Sequence, residues 1–228
     1  MHTELSLREA MGQHCPPAHR RLTPARLLLK RALDVVGALT ALVLLGPVII
    51  GVGIAVRIRL GRPIVFSQSR PGRHGALFRM IKFRTMSTAV DSAGAPLPDG
   101  QRLTAFGRAL RRTSLDELPE LFNVLTGDMS LVGPRPLLEE YTAYFTDAEA
   151  KRLLVRPGIT GLAQVHGRNT VGWDDRLALD VEYVENLSIR GDTRLVLATA
   201  CAVLRRDGVV EDPSAAMEDL DVERARRL

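Results

Sequence analysis

Asp116 and Glu117 stand side by side in Thr113-Ser114-Leu115-Asp116-Glu117-Leu118-Pro119, just downstream of Arg111 and Arg112. Carboxylates next to guanidinium groups suit phosphoryl chemistry. Arginine binds phosphate oxygens through a two-pronged fork, and an ionised carboxylate can attack phosphorus to give an acyl phosphate. A second carboxylate can hold Mg2+, which takes oxygen ligands and phosphate co-ligands. Asp116 and Glu117 can divide these roles, and Arg135, set between Pro134 and Pro136, adds a guanidinium on backbone of restricted φ. An isolated acidic pair is more often an ordinary first helical turn. Ser114 with Glu117 three residues later has capping-box spacing, and Pro119 is compatible with a helix starting here. The helix N-terminus would keep both acids ionised and attract phosphate, and the three arginines favour a phosphoryl site over a solvated helix start.

The elements that must position this site begin with an apolar segment. Between Asp34 and Arg57 lie 22 uncharged residues, where about 20 suffice to cross a bilayer. The run is too long and starts too late for a cleaved signal peptide. Gly46-Pro47 near its middle predicts a kink or break, because proline removes a backbone donor and clashes with the preceding turn. Arg20, Arg21, Arg26, Lys30 and Arg31 precede the segment and Arg57, Arg59 and Arg62 follow it. Cations on both flanks satisfy the positive-inside rule if both ends stay on the cytoplasmic side. The expectation is a helix that enters the membrane, bends at Gly46-Pro47 and leaves by the same face, with a kinked single span as the alternative.

Beyond it, Ile64 to Arg70 and Leu77 to Thr85 flank Pro71-Gly72-Arg73-His74-Gly75 and predict a β-hairpin. Alternation would place Lys82 and Arg84 on one strand face. A loop is expected over residues 87–101, helical character over 103–112, and a helix over 174–186 with Leu177, Val181 and Val184 on one stripe. Residues 195–204 read as a core helix that also suits interfacial docking. A last helix is expected to start at Pro213-Ser214 and end in Arg224, Arg226 and Arg227. Residues 57–112 carry twelve Lys and Arg against two acids, whereas residues 113–228 carry 13 against 21, so an anionic surface is met first and carboxylate chemistry follows. Cys15 and Cys201 are the two cysteines, which excludes a disulfide scaffold or structural zinc site and fits a reducing compartment. With 4% aromatic residues and no reading motif, nucleic acid is not an expected partner.

Four ordered motifs, Lys82-Phe83-Arg84-Thr85-Met86, Arg111 through Pro119, Gly127 through Pro136 and Arg156-Pro157-Gly158-Ile159-Thr160-Gly161, resemble the bacterial sugar transferases. These are monotopic polyprenyl-phosphate phosphoglycosyl transferases, and the resemblance runs roughly from Lys30 to Arg206. It implies transfer of a sugar 1-phosphate from a UDP-sugar to undecaprenyl phosphate, with release of UMP. That is the first membrane step of exopolysaccharide or glycoconjugate assembly, at the cytoplasmic face of the bacterial inner membrane. By resemblance, Asp116 is the nucleophile and Glu117 the Mg2+ ligand, with Lys82, Arg84, Arg111, Arg112 and Arg135 around the phosphates. Gly158, Gly161 and Arg168 are candidates for a nucleotide-contacting loop, and Asp180 and Tyr183 for further substrate contacts. The family's re-entrant helix breaks at a proline that matches Pro47, although many members have Ser where this chain has Gly46.

The expected fold is therefore α+β. Residues 1–24 form an N-terminal tail, 25–60 a re-entrant membrane helix and 61–206 a catalytic domain with amphipathic interfacial helices. Residues 207–228 form a C-terminal tail or helix. Expected partners are a UDP-sugar, polyprenyl phosphate, membrane lipid and a second copy of the chain. Two competing readings are a membrane-tethered scaffold for anionic lipid, with the acid pair serving only as a cap, and hydrolysis of a diphosphate.

Overall fold

The computed structural model describes residues 23–166, 172–205 and 219–226. The tail expected over 1–24 falls almost wholly outside them, as do Arg168, the helix start at Pro213-Ser214, and Arg227. Helix α1, Pro24–Arg59, is 36 residues long. It starts at Thr23, whose Oγ1 accepts from the Arg26 N–H at 3.4 Å, with Pro24 in the first turn where its missing donor costs nothing. The break expected at Pro47 is not seen: the hydrogen-bonded helix continues through it. A proline deletes one ladder bond, and the apolar runs on either side hold their own backbone bonds where no water competes for them.

Helix α1 is long and apolar enough to cross a membrane. It presents most of that surface outward, with Val43 78% and Leu44 71% exposed. A narrow stripe faces the protein. Ala38 packs with Leu121, Val124 and Met129, while Val52 and Val56 pack with Phe83 and Leu110. Polar contacts hold the first end: Lys30 Nζ lies 2.6 Å from Asp192 Oδ2, and Asp34 accepts from Ser130 Oγ at 2.8 Å and the Leu131 N–H at 3.1 Å.

Strands β1 (Val65–Pro71) and β2 (Leu77–Phe83) form the expected antiparallel hairpin, with Val65 opposite Phe83 and Pro71 opposite Leu77. The chain then enters α2, Ala105–Arg112, capped by Thr104 Oγ1, which accepts from the Gly107 N–H at 3.0 Å. A Cβ at Gly107 would stand 1.9 Å from the Thr85 carbonyl oxygen. Only glycine lets α2 lie so close to the end of the hairpin. Helix α3, Glu120–Thr126, follows, and β3 (Ser130–Val132) pairs in parallel with β4 (Gly158–Thr160).

Helix α4, Trp173–Glu185, lies within one residue of the helix expected over 174–186 and buries Leu177 and Val184. Helix α5, Ile189–Arg205, is only partly core: Leu195 is buried but Val196, Leu197 and Val203 are exposed. Its apolar residues are arranged around more than one face, so a single packed stripe cannot cover them. Helix α6, Leu220–Ala225, inserts Leu220 beside Leu137, Tyr141, Trp173 and Leu177. The class is mixed helix and sheet, as the α+β expectation has it, with the sheet confined, among the described residues, to two small ladders.

Candidate active site

The acid pair is not built by a capping box. Ser114 is left-handed at φ 54 and makes no side-chain cap, a three-residue 3-10 turn covers Leu115–Glu117, and α3 begins after Pro119. Proline supplies no donor for a continuous helical ladder, so the turn and α3 are separate pieces. Glu117 is thereby free to turn towards two cations.

Lys82 comes from β2 and Arg135 from the proline-flanked segment after β3, and both reach Glu117 Oε1, Lys82 Nζ at 2.8 Å. Glu117 Oε2 has only a long 3.5 Å contact with Arg135 Nη1. Burial alone would raise the Glu117 pKa, but Arg135 and Lys82 outweigh it and hold the carboxyl well below the usual range. The same pairing pushes the Arg135 guanidinium further up.

Asp116 differs. It is 7% exposed, and among the described residues no ion pair or side-chain hydrogen bond engages it. Burial and the adjacent Glu117 charge push its carboxyl up to about 6, against the pull of Lys82, Arg111 and Arg135. It is thus an ionised but poorly solvated carboxylate at neutral pH, which is the state a nucleophile requires.

Two residues that the sequence reading missed complete the cluster. Glu120 is 1% exposed, and its Oε1 forms an ion pair with Lys82 Nζ at 3.0 Å. Burial and the Glu117 charge push it up to about 7. The three-residue spacing from Glu117 was the available signal. Asn123 accepts from the Ile81 N–H at 3.1 Å and donates to the Arg79 carbonyl at 2.9 Å, tying α3 to the edge of β2 beside Lys82.

The other candidates are dispersed. Arg111 Nε donates to Thr85 Oγ1 at 3.1 Å near the acid pair, and Arg112 is exposed on the same turn. Arg84 does not share the direction of Lys82. It lies just beyond β2, 6% exposed, and donates to the carbonyls of Leu60 and of Arg62, the latter at 3.1 Å. Its guanidinium holds the end of α1, where unpaired carbonyls attract cations.

Gly158 and Gly161 sit where backbones touch: added Cβ atoms would be 2.1 Å from Gly133 N and 2.2 Å from Gly133 O. Asp180 is 2% exposed and receives Arg152 Nε at 3.1 Å and Nη2 at 2.8 Å. The Tyr183 hydroxyl lies 2.9 Å from both the Val132 carbonyl oxygen and Asp192 Oδ1, either of which it can serve as donor.

Among the described residues no group of three or more His, Cys, Asp or Glu is arranged to hold a metal by itself. The acid pair nevertheless fits Mg2+, which is commonly held by one or two carboxylates plus substrate phosphate. Asp116 is unpaired and Glu117 Oε2 is only loosely engaged, so hard oxygen donors remain on both residues.

Carboxylates, lysine and arginine gathered next to a long apolar helix define an anion-handling site on a domain with an exposed membrane-length helix. The chain belongs to the bacterial sugar transferase family, whose model matches residues 25–206. It is 46% identical over 183 residues to the uncharacterized sugar transferase EpsL of Bacillus subtilis, covering 80% of this chain and 91% of that protein. It is 41% identical over 197 residues to the undecaprenyl-phosphate galactose phosphotransferase of Salmonella typhimurium, covering 79% of this chain but 41% of that one. A UDP-glucose:undecaprenyl-phosphate glucose-1-phosphate transferase of Caulobacter vibrioides is 40% identical over 192 residues, covering 79% and 71%. The Salmonella relative is thus more than twice as long as the stretch it shares with this chain.

Proposed function

We propose that this protein transfers a sugar 1-phosphate from a UDP-sugar to undecaprenyl phosphate in two steps through Asp116. The observation that carries the proposal is the contrast inside one dipeptide, where Glu117 is gripped by Lys82 and Arg135 while Asp116 is buried with no ion pair or side-chain hydrogen bond among the described residues. In the first step an Asp116 carboxylate oxygen attacks the β-phosphorus of the donor. The new O–P bond replaces the bridging P–O bond, and UMP leaves with that electron pair. In the second step a phosphate oxygen of the lipid attacks the same phosphorus, the aspartyl O–P bond breaks, and the Asp116 carboxylate is regenerated.

Lys82, Arg111 and Arg135 supply positive charge where phosphate oxygens gather charge in each step. Arg135 is preorganised, because Glu117 orients its guanidinium before substrate arrives. Glu117 through Oε2 would hold Mg2+, leaving Asp116 as the nucleophile. When bound, the ion neutralises diphosphate charge and favours departure of UMP.

The membrane arrangement follows from α1. Its first end is held through Lys30 and Asp34, and the residues just after its last turn, Leu60 and Arg62, through Arg84, by one and the same domain. That supports entry and exit on one face, the cytoplasmic face of the inner membrane, with the helix bending in the bilayer at Gly46-Pro47. Cysteines introduced at residues 28 and 60 should then react with a membrane-impermeant reagent from the same side, and labelling from opposite sides would exclude re-entry. Relatives named for galactose and glucose make UDP-galactose and UDP-glucose the first donors to test. Purified full-length protein with Mg2+ and polyprenyl phosphate should release UMP from at least one UDP-sugar and form a lipid diphosphate sugar. Absence of UMP from every donor, with intact binding to anionic vesicles, would favour the scaffold reading.

A further inference from the structure

The segment carrying Arg135 has few anchors of its own. Pro134 and Pro136 have no N–H to donate, so the peptide is tied through its carbonyls. The Pro134 oxygen accepts from the Gly158 N–H at 3.0 Å, and the Arg135 oxygen accepts from Arg152 Nη2 at 2.6 Å. Arg152 is 3% exposed, and the same Nη2, with Nε, also donates to Asp180 Oδ2. The Phe145 ring lies 5.2 Å from its guanidinium carbon and shields it from water. A buried ion pair of this kind adds little net stability over apolar packing of the same volume. What it does provide is direction: Asp180 on α4 aims one guanidinium N–H at one carbonyl, that of the residue whose side chain grips Glu117.

We propose that Arg152 and Asp180 are positioning residues for the transfer reaction, acting through the Arg135 backbone to place its guanidinium on Glu117 and on the phosphates. This assignment rests on the transfer reading above. It gives Asp180 a role in the reaction without substrate contact.

Arg152→Lys keeps a cation beside Asp180, but one ammonium cannot reproduce the fork shared between Asp180 and the carbonyl. In full-length protein the variant should lose kcat for UMP release by on the order of tenfold, as a displaced catalytic group does. The donor KM and the unfolding temperature should stay nearly unchanged. Asp180→Glu, which keeps the charge but shifts Arg152, should show the same selective loss and serves if the lysine variant folds poorly. In an Arg135→Lys background the Arg152 change should cost less than about twofold, because the group it positions is already gone. Unchanged kcat in folded variants, or an equal fractional loss in both backgrounds, would overturn the proposal. A readout free of turnover separates it from the transfer reading. In nitrogen-15 spectra of arginine side chains, the Arg135 Nε–H should exchange faster with water in Arg152→Lys than in the unmodified protein, and unchanged exchange would count against positioning. Failure of the unmodified protein to release UMP would sink the transfer reading and leave the spectra to decide the positioning.

Discussion

Asp116 and Asp180 are both aspartates taken almost out of water, 7% and 2% exposed, yet they are treated in opposite ways. Asp180 meets a guanidinium fork from Arg152 at 2.8 and 3.1 Å. Asp116 has cations near it but, among the described residues, none in contact, because Glu117 engages Arg135 and, with Glu120, Lys82. A buried charge left without a partner costs folding energy. On the proposed reading the unsatisfied aspartate is the group kept reactive, whereas the satisfied aspartate belongs to the frame.

The comparison is broken most directly by neutralising each aspartate in turn. Asp116→Asn should abolish turnover, by at least about a thousandfold as expected for a lost nucleophile. It should leave the protein as stable or slightly more so. The sign follows from linkage: the folded carboxyl titrates near 6, above its ordinary value, so the folded state binds the proton more tightly and ionisation at neutral pH opposes folding. Burial pushes the Asp180 carboxyl up as well, yet Asp180→Asn should lower stability because of the partner it strands. It leaves Arg152 buried without its counter-charge and should cost about 3–5 kcal/mol of stability, read as a fall in chemical-denaturation midpoint. If both variants behaved alike in stability, the division between reactive and framing aspartate would be lost.

A subtler test uses pH. The rate constant kcat/KM of the free enzyme should fall as pH drops through about 6, as Asp116 gains a proton. Glu117→Gln removes the adjacent like charge and should move that limb to lower pH, together with a lower kcat and a weaker Mg2+ requirement. An acid limb that stays in place would show that Glu117 does not govern Asp116. The smallest effect is expected far from both aspartates. Leu197→Gln on α5, where the side chain is 61% exposed, should alter stability by no more than about 0.5 kcal/mol, while lowering the fraction that sediments with lipid vesicles.

Sequence carried this contrast only in part. Asp116, Glu117, Lys82 and Arg135 stood out in the sequence as charged residues in ordered motifs, and the structure brings them together; the hairpin was legible because turn residues punctuate two apolar runs. Ser114 was misread as a cap because spacing alone does not reveal a left-handed φ of 54. Arg84 was placed beside Lys82 by alternation, but strand geometry ends at Phe83 and its guanidinium instead closes the end of α1. Glu120 did not stand out in the sequence, because its burial against Lys82 depends on how α3 docks on β2 through Asn123. Asp180 could be placed on a helix but not given Arg152 as its partner, since the two meet across 28 positions of sequence. Pro47 announced a bend that the hydrogen-bonded helix does not show as a break.

The central claim is that Asp116 accepts the sugar phosphate, and intact-protein mass spectrometry tests it most directly. Full-length protein incubated with Mg2+ and UDP-sugar, without lipid acceptor, should gain the mass of one sugar phosphate. The added mass should map to Asp116, match the UMP released, and disappear when polyprenyl phosphate is added. Lipid product formed at full rate by Asp116→Asn, or an adduct mapping to another residue, would contradict the account.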